Sequence, residues 1–116
     1  MKRTWSRRLA FLGAVGLLLV ACQSGGITGD LKPTGVEVFP IPGSHGHIAL
    51  DFDLRLAKGS LILELVSPSG APVPLARLVG PREVQSTSEA TGQTGEWSIR
   101  VTTTDADGTY DFSWRE

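Results

Sequence analysis

The stretch that decides the fold is Ile48-Ala49-Leu50-Asp51-Phe52-Asp53-Leu54-Arg55-Leu56. A large apolar side chain stands at every second position, and alanine or a charged residue stands between. Period-two alternation over nine residues is typical of a strand with one face in a core and the other in water. The sequence therefore predicts a half-buried β-strand here.

The residues after this strand continue the β pattern. Lys58-Gly59-Ser60 interrupts it, and Leu61, Leu63 and Leu65 then predict a second strand. Ser67-Pro68-Ser69-Gly70 predicts a turn, because proline presets φ and glycine supplies positive φ. Further candidates are an irregular or edge strand at 75–79, kept irregular by Pro72 and Pro74, a weaker strand at 84–88 and a short one at 36–39.

The C-terminal residues alternate in the same way. Trp97, Ile99 and Val101 form one apolar series, and Tyr110, Phe112 and Trp114 form another. Asp105-Ala106-Asp107-Gly108 between them has the composition of a hairpin turn. The sequence predicts that the two series pair as a hairpin, with an even-numbered or bulged loop and its apolar face in the core.

The N-terminal residues have the composition of a secretory signal. A basic start with Lys2, Arg3, Arg7 and Arg8 precedes a 12-residue apolar run, residues 9–20, that is too short to span a bilayer. Leu19-Val20-Ala21-Cys22 resembles the lipobox of bacterial lipoproteins, and the resemblance implies that Cys22 is lipidated and becomes the mature N-terminus. Cys22 is the single cysteine, so the chain forms no internal disulfide.

Three regions follow from this: a signal peptide at 1–21, a lipidated Cys22 with a flexible tether over 22–35, and a β-domain at 36–116. The Gly-rich tether has an expected reach of about 20 Å. Residues 23–116 hold 7 basic and 12 acidic side chains, a net charge of −5. A moderately acidic module has no electrostatic footprint for nucleic acid, so we expect no nucleic-acid partner.

Two groups of residues are candidates for metal binding. Asp105, Asp107, Thr109, Asp111 and Glu116 stand at the ligand positions of an EF-hand loop, but Tyr110 replaces the glycine that such a loop needs. Asp105 and Asp107 remain weak candidates on what we interpret as an ordinary turn. His45-Gly46-His47 offers two imidazoles, with no acidic or sulfur ligand close in sequence, and is interpreted as a solvated loop. No metal is expected.

The sequence offers little catalytic chemistry. Asp51 and Asp53 share a strand face about 7 Å apart, but Arg55 lies on the same face and favours an ordinary solvent-facing surface. The chain has no Gly-x-Ser-x-Gly elbow and no phosphate-binding loop. The polar residues 85–95 are interpreted as a long loop. We therefore expect no enzyme, no catalytic residue and no cofactor.

A family resemblance extends over residues 44–116. Residues 61–70, then Gly95-Glu96-Trp97 with its strand, then Gly108-Thr109-Tyr110-Asp111-Phe112 resemble accessory β-sandwich modules of secreted proteases. These modules are the proprotein-convertase P domain and the bacterial pre-peptidase C-terminal domain. The resemblance implies an antiparallel β-sandwich and non-catalytic work. No protease domain accompanies the module in this sequence, so support of a catalytic neighbour is not implied.

The sequence as a whole predicts an all-β protein, a small antiparallel β-sandwich of jelly-roll or immunoglobulin-like type with about six to eight strands. The expected function is a lipoprotein of the bacterial cell envelope, anchored through Cys22 in the outer membrane or at the cell surface, periplasm-facing sites included. Its sandwich would bind a protein or a polysaccharide. A carbohydrate-binding module would need an exposed Trp97 or Trp114, and a small envelope hydrolase would need His45 or His47 near Asp51 or Asp53.

Overall fold

The computed structural model describes residues 24–116, so the predicted signal peptide, the lipobox-like segment and Cys22 lie outside the described residues. The four strands are β1 (Gly25–Asp30), β2 (Gly35–Val66), β3 (Pro72–Val79) and β4 (Arg82–Arg115). They pair antiparallel in the order β1-β4-β2-β3. Within this part of the chain, no helix is long and apolar enough to cross a membrane.

The two long strands change partners along their length. β2 has 32 residues and β4 has 34. Each contributes three paired segments, which are residues 35–41, 48–56 and 60–66 of β2 and residues 82–90, 97–103 and 108–115 of β4. The ladder register shifts between consecutive segments, so that one continuous strand serves in two sheets.

These pairings divide the segments into two four-stranded sheets. Sheet I has the order β1, 108–115, 48–56, 82–90. Sheet II has the order 35–41, 97–103, 60–66, β3. Eight antiparallel segments in these two orders form a jelly roll. The predicted all-β class, a small antiparallel sandwich, is confirmed.

The core lies between the sheets and follows the predicted alternation. The side chains that segment 48–56 buries are Ile48, Leu50, Phe52, Leu54 and Leu56. Segment 60–66 buries Leu61, Leu63 and Leu65 from the other sheet. The rings of Tyr110 and Phe112 in sheet I lie against Phe39 of sheet II, with centroids 5.2 and 6.1 Å from the Phe39 centroid. This aromatic cluster joins the two sheets across the core.

The predicted turn after segment 60–66 is present. Gly70 has a φ of 91°, and its N–H donates to the carbonyl of Ser67 at 2.8 Å. β3 then pairs with segment 60–66 alone and carries a register shift opposite Leu63 and Glu64. Pro72 and Pro74 lie in this strand, where the absence of two N–H donors is tolerated at a sheet edge. The expected edge strand is confirmed.

The expected flexible tether is wrong for residues 25–30, which form β1. β1 pairs with segment 108–115 over six rungs, from Gly25 opposite Trp114 to Asp30 opposite Thr109. Its glycines make room for aromatic neighbours, because a Cβ at Gly25 would lie 2.9 Å from the Trp114 ring and one at Gly29 would lie 2.7 Å from the Tyr110 hydroxyl. The following Leu31 is buried. The folded domain therefore includes residues 25–30, which precede the predicted start at residue 36.

The predicted C-terminal hairpin is also wrong. Segment 97–103 lies in sheet II and segment 108–115 lies in sheet I, so their apolar side chains meet across the core and not on one sheet. Residues 104–107 cross between the sheets, with Ala106 buried and its N–H donating to the carbonyl of Pro33 at 2.8 Å. Alternation determines which side chains are buried, but it does not determine the partner strand.

The loop predicted at residues 85–95 is shorter than expected. Residues 82–90 pair with segment 48–56 as the edge of sheet I, and the connection to segment 97–103 begins at residue 91. Val84 and Ala90 pack against the core from this edge. The weaker strand candidate at 84–88 is therefore part of a longer strand.

The sandwich has two ends with different connections. One end is formed by residues 42–47, 67–71 and 91–96, and we call it the loop end. Gly25 and Glu116 also lie there. The opposite end is formed by residues 31–34, 57–59, 80–81 and 104–107, and we call it the corner end. At the corner end the backbones approach closely, because a Cβ at Gly108 would lie 1.9 Å from the carbonyl oxygen of Arg55.

Candidate functional site

The outer face of sheet I is polar. Asp51 lies opposite Thr87 and Ser113, and Asp53 lies opposite Gln85 and Asp111. An open groove of about 440 Å³ runs over these residues. Hydroxyl, amide and carboxylate groups dominate this surface, which suits solvent and small polar ligands better than an apolar partner.

Asp51 is the most constrained carboxylate on this face. It accepts a hydrogen bond from the hydroxyl of Thr87, and Arg115 donates to it at 2.5 Å. The Thr87 hydrogen bond, together with Arg115, holds the pKa of the Asp51 carboxyl below its ordinary value, against an opposing effect of desolvation. Asp53 has Arg55 beside it, with the Arg55 Nε 3.6 Å from a carboxylate oxygen. Both aspartates are thus placed among the polar groups of a sheet surface.

The outer face of sheet II is different, because it exposes branched apolar side chains. Val36 and Val38 are 53 % and 54 % exposed at one edge of the sheet, and Val79 is 71 % exposed at the other. Half-buried Ile62 and Val66 lie between those edges on the same face. We call this surface the docking face, and its members are Val36, Val38, Pro40, Ile62, Glu64, Val66, Pro74, Arg77, Val79 and Arg100.

Two charged groups at the centre of the docking face neutralise each other. The Arg100 Nε and one terminal nitrogen each lie 2.9 Å from the same oxygen of Glu64. Both side chains are partly buried, so the pair occupies the middle of the face without leaving an unpaired charge there. Arg77 is exposed opposite Ile62, and no ion pair engages it among the described residues.

The two histidines have different environments. His45 is 2 % exposed, which corrects its interpretation as solvated loop. Its Nε2 donates to the carbonyl of Pro42 at 2.7 Å, its Nδ1 lies 3.3 Å from Glu116, and its own carbonyl accepts the indole N–H of Trp97. His47 is partly exposed, with its Nε2 3.0 Å from Glu89.

The residues proposed for hydrolysis are not brought together. Each histidine has a glutamate as its acidic neighbour, whereas Asp51 contacts Thr87 and Arg115. His47 and Asp51 are four residues apart on one extended chain, about 13 Å. The structure therefore does not assemble the cleft that the hydrolase alternative requires from these residues.

Asp105 and Asp107 lie on either side of buried Ala106 at the corner end. Asp105 has a φ of 48°, and its N–H donates to the Thr34 hydroxyl at 3.0 Å. Asp107 pairs with Lys58 in the ladder. Among residues 24–116, no group of three or more His, Cys, Asp and Glu side chains is arranged to hold a metal ion. Positive φ explains the aspartate at 105, because aspartate tolerates the left-handed region better than most residues.

The aromatic side chains that would stack on a sugar are in the core. Trp97 is 3 % exposed and Trp114 is 8 % exposed. Phe112 is fully buried, and Tyr110 and Phe39 pack against it. The exposed ring that the carbohydrate-binding alternative requires is therefore not supplied by any of them.

Sequence reasoning missed the docking face. The signal was present in segment 60–66, where Ile62 and Val66 make the second strand face apolar as well as the first. A strand with apolar residues on both faces is typical of one covered on both sides. Val36 and Val38 repeat this signal on segment 35–41 of the same sheet.

No family model and no characterised protein sequence matches this chain. Among solved structures, it is similar to the mitogen derived from Yersinia pseudotuberculosis, with a TM-score of 0.44 and 13 % identity over 79 % of this chain and 84 % of that one. It is also similar to the CspB protease of Clostridium perfringens, with a TM-score of 0.43 and 21 % identity. That second likeness covers 75 % of this chain and 24 % of the protease. Both are too distant to bear on function, and the resemblance to accessory modules of secreted proteases stays a prediction.

Proposed function

We propose that this chain is a lipid-anchored, non-catalytic β-sandwich of the bacterial cell envelope that binds a protein partner through the docking face. The anchor is supported by the sequence, where a basic and apolar leader precedes Cys22 in a lipobox-like setting. Acylation at Cys22 would hold the chain to its membrane, since two or more acyl chains anchor a protein durably.

One observation carries the binding proposal. The large hydrophobic residues exposed within the described part of the chain are Val36, Val38, Val73 and Val79, and three of these four lie on the docking face. The outer face of sheet I has none of them. Apolar side chains gathered on one face and rimmed by polar groups are typical of a protein-interaction surface.

The charged and apolar side chains of the docking face determine which kind of partner fits it. Glu64 and Arg100 already satisfy each other, so a partner covering the centre would need apolar or neutral groups there. Arg77 offers a guanidinium at the side of the face beside Val79. The fitting partner is a protein surface of apolar side chains with a carboxylate at its margin, where it would reach Arg77.

The binding proposal is tested by photocrosslinking in the native envelope. A photoreactive residue at Val38 reports on the docking face, and one at Gln85 reports on the outer face of sheet I. We expect a discrete protein adduct from position 38 and none from position 85. Adding Val36→Asp to the position-38 chain should weaken that adduct, because a charge would be desolvated in the interface. Identical adducts from both positions, or adducts insensitive to Val36→Asp, would contradict the proposal.

The anchor is tested separately by Cys22→Ser. Removing the thiol removes the acyl acceptor, so we expect the variant to lose both fatty-acid incorporation and membrane retention. Metabolic labelling with a fatty-acid analogue measures the first, and fractionation of the envelope measures the second. Equal labelling of the parent chain and the variant would show that Cys22 is not the lipidation site.

A further inference from the structure

We infer that the loop end of the sandwich rests on the lipid headgroups, so that both outer faces of the sandwich stand side-on to the membrane. This inference rests on the proposed lipidation of Cys22. The loop end contacts the headgroup surface of the bilayer that holds the anchor.

β1 begins three residues after Cys22. Three peptide units span at most about 11 Å when fully extended. Gly25 is fixed in the sheet opposite Trp114, at the loop end. An acylated Cys22 therefore cannot let the loop end move far from the headgroup layer. The expected reach of about 20 Å for a flexible tether would have allowed any orientation, and the position of β1 removes that freedom.

The direction of β1 sets the orientation of the rest. From Gly25 the strand runs toward the corner end, and its neighbour 108–115 runs back from there. The nine residues of segment 48–56 place the two ends about 25–30 Å apart. The corner end therefore points away from the membrane, with Lys32, Lys58 and Arg82 exposed on it or beside it.

The loop end is suited to this contact by its composition. Its three connections, residues 42–47, 67–71 and 91–96, contain a single charged side chain, that of Glu96, and Glu116 lies beside them. With so few charges, most of the loop end can approach headgroups without desolvating a charged group, while exposed Glu96 and Glu116 stay in the aqueous headgroup layer. The corner end differs, because Lys32, Lys58, Asp105 and Asp107 lie in its connections.

These loops are also tied to one another. The Ser69 N–H donates to the side-chain oxygen of Gln93 at 3.1 Å, which joins two of the connections. Pro68 lies so close to Gly95 that a Cβ there would be 2.8 Å from the proline ring. The Trp97 indole N–H donates to the carbonyl of His45 at 2.9 Å and links a third connection to segment 97–103. The loop end is therefore a braced surface.

The faces of the sandwich are less suited to lie flat on lipid. The outer face of sheet I carries Asp30, Asp51, Asp53, Glu83, Glu89 and Asp111 against Arg55 and Arg115, so anionic lipids would repel it. With the loop end against the membrane, the plane of the docking face is parallel to the membrane normal, and the face points sideways. A partner that reaches it would approach along the membrane.

The test measures which parts of the lipidated full-length chain approach headgroups. Ala71 and Ala57 are both exposed and lie at the loop end and the corner end, so Ala71→Cys and Ala57→Cys form a matched pair. Thr102 lies opposite Val36 and Ile62 in sheet II, so Thr102→Cys reports on the docking face. Each cysteine is spin-labelled in vesicles of phosphatidylcholine and phosphatidylglycerol that contain a nickel-chelating lipid. We expect nickel relaxation at position 71 to exceed that at positions 57 and 102 several-fold.

A linker insertion provides the control. Fifteen Gly and Ser residues between Ser24 and Gly25 add a reach of about 20 Å, and we expect them to abolish the difference between positions 71 and 57. Equal relaxation at positions 71 and 57 without the linker would overturn the inference. Relaxation at position 102 equal to that at 71 would show a chain lying on its docking face and would also overturn it. A free Cys22 thiol in the mass spectrum would instead refute the proposed anchor.

Discussion

Tyr110 is the residue whose ionisation reports most directly on folding. Burial, with smaller effects of Glu37 and Asp30, raises the pKa of Tyr110 above its ordinary value of 10.0. The neutral phenol is thus favoured in the folded chain, and the unfolded chain ionises first as pH rises. This stabilisation is complete below pH 10.0 and is lost as pH climbs toward the pKa of the folded chain.

We expect the parent chain to lose stability relative to Tyr110→Phe above pH 10.0 and not below it. Denaturant unfolding at a series of alkaline pH values measures the difference between the two chains. Tyr110 is the single tyrosine, so its ultraviolet titration can be followed directly. A pKa at or below 10.0 in the folded chain would contradict the expectation.

Phe112 is the residue on which the core depends most. It is fully buried, and its ring stacks on Tyr110 at a centroid distance of 5.2 Å. Phe112→Ala should lower the free energy of unfolding by about 3–5 kcal/mol, because it leaves a cavity between the sheets. Exposed Asp107→Ala should change it by less than about 0.5 kcal/mol. If Asp107→Ala were as costly, and calcium stabilised only the parent chain, the corner would be a metal site.

Glycines at the corner end decide how the long strands change sheets. The backbone carbonyl of Arg55 occupies the space where a Cβ at Gly108 would lie. Gly70 provides the matched control, since it has a φ of 91° but nothing within 4 Å of an added Cβ. We expect Gly70→Ala to cost about 1–2 kcal/mol from strain alone, and Gly108→Ala to cost about 3 kcal/mol or more. If denaturant unfolding of residues 24–116 gave equal losses of unfolding free energy for the two variants, the corner end would relax enough to accommodate the added methyl group.

At the scale of elements, the sequence predicts which face of a strand is buried better than it predicts which strands pair. The alternation at 48–56 and 60–66 correctly identified the buried side chains, because burial follows from each strand's own period. The hairpin prediction failed because the series at 97–101 and 110–114 bury equally well on one sheet or on two. β1 was missed because Gly-rich residues lack intrinsic strand preference, and its pairing depends on Trp114 and Tyr110 lying over the glycines.

At the scale of the whole molecule, the candidate site was only partly predictable. The polar alternation of Asp51, Asp53 and Arg55 correctly indicated an outward-facing surface. The docking face combines residues from 35–41, 60–66 and β3, and these come together only once the sheet order is known. His45 shows the same limit, because its burial depends on Pro42, Trp97 and Glu116, which lie up to 71 positions away.

The pairing of β1 with the last strand has a consequence for how the molecule is made. Gly25 and Trp114 face each other although 89 positions separate them, and segment 108–115 is needed on both of its sides, by β1 and by 48–56. A chain synthesised or translocated across a membrane from its N-terminus cannot close sheet I until residues 108–115 arrive. Closure is then a late, long-range step, which slows folding. Until that moment β1 and segment 48–56 each have an unpaired edge facing the place of segment 108–115, and unpaired strand edges are sites at which nascent chains associate.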